Sequence, residues 1–76
     1  MNIMVYKGYS GRIEFDHEED RFIGVVEGID VLIDFEGNNL AEVELDFHSA
    51  INSYISTCAK RGKKPSQTTV YRASVG

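Results

Sequence analysis

The sequence holds one cysteine, Cys58, so an intrachain disulfide is excluded. That cysteine and two isolated histidines, His17 and His48, have no metal-ligand spacing, and neither a metal nor any other cofactor is expected. No stretch approaches the roughly 20 consecutive apolar residues of a membrane span. Met1 to Ser10 lacks an apolar run between a basic region and a cleavage site, so no signal peptide is expected either. One unpaired thiol without an export signal points to the reducing cytoplasm. Gly8, Gly11, Gly24 and Gly28 precede or interrupt strand-like runs and never open a helix, which leaves a phosphate-cradling loop unsupported.

What remains is enough for one small domain. Of 76 residues, 42% are hydrophobic, with four Phe and four Tyr, a composition that packs a core. A core of this size leaves a thin margin of stability, and domains this short usually add a disulfide, a metal or a partner subunit. With the first two excluded, a homodimer or higher homo-oligomer is expected.

The net charge of −4 conceals an asymmetry. Residues 1–58 carry all twelve acids against Lys7, Arg12 and Arg21, a net −9. Residues 59–76 carry Lys60, Arg61, Lys63, Lys64 and Arg72 and no acid, a net +5. A body at −9 repels phosphate backbones and favours basic partners. The five terminal bases are a weak nucleic-acid footprint and read more simply as a solvated helix end.

From Tyr9, the positions Tyr9, Gly11, Ile13 and Phe15 alternate with polar residues to Asp16, the period of a half-buried strand. His17 to Asp20 is a polar hairpin loop. A second strand covers Arg21 to Glu27, with Phe22 and Val26 on one face and Ile23 and Val25 on the other. After Gly28 and Asp30 a third strand is expected at Val31 to Glu36, with Val31, Ile33 and Phe35 inward. Three strands with short polar loops make an antiparallel meander.

A helix follows. Asn39 and Glu42 have capping-box spacing, and Leu40, Val43, Phe47, Ala50, Ile51, Tyr54, Ile55 and Cys58 form an apolar stripe. Lys60 and Arg61 suit the negative end of the helix dipole, Gly62 a left-handed cap, and Pro65 a stop. Thr68 to Ala73 is a candidate fourth strand, which makes the fold class α+β in the order βββαβ.

No active site emerges, and the chain is not expected to be an enzyme. Two-metal hydrolysis needs acids converging from several elements. Asp16, Glu18, Glu19 and Asp20 instead cluster in one loop, where acids form turns. His17 could serve as a base but reads as an exposed loop residue, and His48 as a residue of the polar helix side. Cys58, on the apolar stripe, reads as a buried, inert thiol. The sheet face away from the helix carries more information. Ile23, Val25 and Leu32 would lie at its centre, rimmed by Glu14, Asp16 and other charged residues, the anatomy of a protein interface and more than scattered exposed apolar side chains. The expected partner-binding residues are therefore Glu14, Asp16, Ile23, Val25 and Leu32, with Leu45 a second contact off the helix stripe.

The run Tyr6-Lys7-Gly8-Tyr9-Ser10-Gly11, then Ile13-Glu14-Phe15-Asp16, resembles the opening of HicB-family antitoxins. Phe22-Ile23-Gly24, Gly28-Ile29, Phe35-Glu36-Gly37, the helix residues Phe47, Ala50-Ile51, Tyr54-Ile55 and Cys58, and Arg61-Gly62-Lys63-Lys64-Pro65 continue the likeness. The resemblance implies a partial ribonuclease-H-like (RNase H-like) domain over residues 1–65 without nuclease activity. It also implies neutralisation of a HicA-type toxin, a small basic RNA-cleaving protein. An acidic body suits such a partner. Members of this family usually continue past the proline into a DNA-binding segment. Val70-Tyr71-Arg72 resembles the start of one, but residues 66–76 hold nothing more, so no DNA binding is expected of this sequence. The alternative is an orphan HicB-like oligomerisation or regulatory module without a toxin.

Overall fold

The computed structural model describes residues 2–64. The chain runs β1 (Asn2–Tyr6), β2 (Tyr9–Asp16), β3 (Arg21–Glu27), β4 (Asp34–Gly37) and α1 (Leu40–Lys60). The strands form one open antiparallel sheet in the order β1-β2-β3-β4, and α1 packs on one face. The α+β class and the antiparallel sheet followed by a long helix are as expected, but four strands, not three, precede the helix. The candidate strand at Thr68 to Ala73 lies outside the described residues.

The additional strand, β1, has no alternation to betray it. Ile3 and Val5 on its outer face are as apolar as Met4 and Tyr6 on its inner face, so period two vanishes. Its turn is also disguised. Lys7 and Gly8 both take positive φ, 54° and 83°, the signature of a two-residue hairpin turn in which asparagine or aspartate usually takes the first place.

Further along, β2 and β3 match the expected spans, and the loop between them is closed from within. Asp16 Oδ1 accepts from the Glu18 and Glu19 backbone N–H at 3.0 and 3.3 Å, and the Asp20 N–H donates to the Asp16 carbonyl at 2.7 Å. Expected strand Val31–Glu36 is corrected to β4 at Asp34–Gly37. The chain bends from Gly28 (φ 81°) through Val31, which is left 47% exposed. Of its expected inward residues, Phe35 is buried and Ile33 packs against the core.

The α1 termini follow from local chemistry. Asn39 stands in extended conformation and its Oδ1 accepts from the Glu42 N–H at 2.8 Å. Glu42 Oε1 in turn accepts from the Asn38 N–H at 2.9 Å, one residue outside the usual box. At the other end Gly62 (φ 68°) sits in the left-handed region. The Lys63 N–H donates to the Cys58 carbonyl at 2.8 Å and the Gly62 N–H to the Ala59 carbonyl at 3.1 Å, the paired bonds of a Schellman motif. Leu40 stands exposed ahead of the contact with the sheet, whereas Val43, Phe47, Ile51, Tyr54 and Cys58 are buried against Tyr9, Ile13, Val26 and Phe35.

Candidate protein-binding face

Strand parity leaves a second sheet face without a helix on it. Register sets Glu14, Ile23 and Glu36 in one cross-strand row and Ile3, Arg12, Val25 and Asp34 in the next. Glu14, Asp16, Ile23 and Val25 thus share a shallow groove of about 410 Å³, which Arg12, Arg21, Asp34 and Glu36 also line. Its apolar floor is accessible, with Ile23 37% exposed and Val25 half-buried.

Two ion pairs cross the face. Arg12 Nε lies 3.3 Å from Glu27 Oε2, beside Val25, and Arg21 Nη2 lies 3.1 Å from Glu36 Oε1, beside Ile23. Exposed pairs of this kind add little stability. With both arginines engaged, the five acids Glu14, Asp16, Glu27, Asp34 and Glu36 still exceed the bases by three, so the face attracts cations. Asp16 differs from the others because its carboxylate also holds the β2–β3 turn.

Leu32 does not join this groove. It precedes β4 on the loop and is 84% exposed, since the bend at residues 28–31 shortens the strand that was expected to carry it. Leu45 is exposed on α1 beside Asp46, near Glu36 and Gly37. Sequence reasoning missed Ile3 and Val5, which extend the apolar part of the face along β1. The apolar character of Asn2–Tyr6 was the available signal, and it lacked the alternation that would have assigned a strand.

Several other polar groups make contacts within the fold. His48 stacks on Tyr6 at 3.9 Å, and Tyr6 Oη and Lys7 Nζ both donate to Asn52 Oδ1, at 3.3 and 2.8 Å. His17 meets Phe15 edge to face at 4.8 Å, and Cys58 is buried. Asp30 receives Lys63 Nζ at 3.1 Å and Tyr54 Oη at 3.4 Å, tying the β3–β4 loop to the end of α1. The Lys63 bond holds the Asp30 carboxyl below its usual value, and Asp30 in turn raises the Lys63 ammonium. Among the described residues no three His, Cys, Asp or Glu converge so as to hold a metal ion, and no helix is long and apolar enough to cross a membrane. No protein-family model, curated protein or solved structure matches the chain.

Proposed function

We propose that this chain is an antitoxin-like binding protein that covers a small basic RNA-cleaving toxin of the HicA type and does no chemistry of its own. The observation that carries this reading is the outer sheet face, where Ile23 and Val25 lie in a groove rimmed by an excess of acids. Apolar anchors inside a charged rim supply affinity, and the net negative charge draws in a basic partner. The HicB-like residues described above support the same reading, which includes a partial RNase H-like relationship for residues 1–65 and action in the cytoplasm. Co-expression with a small basic RNA-cleaving protein encoded beside it is the test, scoring growth and complex formation together. Rescued growth and co-purification are the expected outcome. A toxic neighbour that this chain neither silences nor binds refutes the reading.

A second reading, an oligomerisation module without a toxin, draws on a separate observation. The β1 edge is uncharged and presents Ile3 and Val5 to solvent.

A further inference from the structure

The two edges of the sheet are closed to different degrees. β4 is four residues long and carries Asp34 and Glu36, and Asp46 of α1 accepts the Glu36 N–H through Oδ2 at 2.9 Å. Charge, shortness and a capped donor are the usual protections of an edge strand. β1, five residues long, has neither the charge nor, among the described residues, a side-chain cap on its outward N–H groups. Its residues Asn-Ile-Met-Val-Tyr include no charge and no proline, and its pairing with β2 runs unbroken from Asn2–Ile13 to Tyr6–Tyr9.

Register decides which backbone groups reach the open edge. The two-residue Lys7-Gly8 turn makes Tyr6 and Tyr9 the closing pair of the hairpin. In the alternation that follows, Met4 turns its N–H and C=O toward Gly11 of β2, while Ile3 and Val5 turn theirs outward. The same two residues hold their side chains on the outer face, 52% and 67% exposed. Tyr6, stacked on His48 and bonded to Asn52, holds the strand in place before any partner arrives.

We propose that β1 pairs antiparallel with β1 of a second copy, about a two-fold axis through Met4. This sets Ile3 opposite Val5 of the partner subunit and Val5 opposite Ile3 of the partner subunit. Both are edge-facing positions, so each opposed pair exchanges N–H and C=O bonds and the two sheets become continuous. The choice of a second copy rests on symmetry and charge. An uncharged strand opposes itself without repulsion, whereas stacking two outer faces would set one acidic surface on another. The side chains exposed at the edge are covered by the same pair from the copy, and the outer-face groove stays free for a different partner.

This inference rests on the self-association reading and not on the toxin. Light scattering behind a sizing column, on the full chain at micromolar concentration, is expected to give twice the 8.5 kDa of one chain. Val5→Lys should weaken the dimer at least about tenfold, as loss of a central interface anchor does, while circular dichroism shows a folded monomer. In a Cys58→Ala background, Ile3→Cys mixed with Val5→Cys should cross-link under mild oxidation, and either variant alone should not. A dimer that survives Val5→Lys, or that cross-links in another pattern, overturns the β1 pairing and leaves self-association standing. A monomer with rapidly exchanging Ile3 and Val5 amides overturns both. A monomer with both amides protected assigns the edge to residues 65–76 and also overturns the proposal.

Discussion

The ring of Phe35 occupies the space that a side chain at Gly24 would need. A Cβ built on Gly24 would lie 2.4 Å from Phe35 Cζ, and one on Gly11, across the neighbouring strand, 2.8 Å from the same atom. Glycine costs a strand conformational entropy and packs nothing itself. Here two of them, in β2 and β3, open a slot through which Phe35 reaches Phe47 of α1, ring centroids 4.9 Å apart. The slot is what lets a 21-residue helix lie close on a sheet this small.

Gly24→Ala is therefore expected to destabilise the fold by about 1–3 kcal/mol, the cost of overpacking a filled core. Phe35→Leu shortens the obstructing ring, so the double variant should lose less than the sum of the two single losses. Urea unfolding of the four proteins measures the coupling. Strict additivity would assign the cost to the Arg12 carbonyl oxygen, 2.9 Å from the same Cβ, and not to the Phe35 ring.

Local chemistry was legible in the sequence, and tertiary placement was not. Asn39, Glu42 and Gly62 declare the ends of α1 because capping is settled by neighbours within a few residues. The inward sides of β2 and β3 follow from alternation, which also puts Ile23 and Val25 on the outer face. β1 escaped because both of its sides are apolar, and with it went Ile3 and Val5. Leu32 falls outside β4 because the bend that begins at Gly28 shortens the expected strand. Gly11 and Gly24 look like punctuation until Phe35, from a distant strand, fills the gap between them.

Asp46 is a further residue whose role appears only in three dimensions. Its carboxylate caps the Glu36 N–H on the open side of β4. Asp46→Ala should cost about 1 kcal/mol, the net worth of one such bond. Amide exchange supplies the more specific readout. The Glu36 amide should exchange faster while the Phe35 amide, directed toward β3, keeps its protection. Equal acceleration at both positions would mean that the whole strand loosens and that Asp46 acts through packing.

The Asp30–Lys63 link gives a pH dependence with a defined sign. The hydrogen bond from Lys63 lowers the Asp30 pKa, so this contribution is fully present above pH 3.8 and is lost as pH falls through the lowered value. Asp30 raises the Lys63 pKa, so the same link is present below pH 10.5 and is lost as pH rises through the raised value. Both side chains are about half exposed, and solvent screening keeps the effect small. Asp30→Asn should lower the unfolding midpoint slightly at neutral pH and less in high salt. The difference from the parent should disappear in acid well under pH 3.8, and a difference that persists there would assign the loss to packing around Tyr54.

Binding to a basic RNA-cleaving partner should divide between two kinds of residue on the outer face. In the proposed complex Ile23 and Val25 would be the desolvated anchors, and Ile23→Asp should cost at least roughly 2 kcal/mol, mainly through faster dissociation. The rim acids act at longer range, so reversing them should slow association and weaken its salt dependence while leaving dissociation nearly unchanged. Asp16 is a poor choice for that reversal, because its carboxylate accepts two N–H bonds in the β2–β3 turn and Asp16→Lys would disturb the hairpin as well as the charge. Glu14→Lys combined with Asp34→Lys changes the charge of the groove without touching the turn. Surface plasmon resonance over a salt series resolves both rates. If Ile23→Asp and Val25→Asp bind the partner with unchanged dissociation, the contact lies on another surface, and exposed Leu45 on α1 becomes the next position to test.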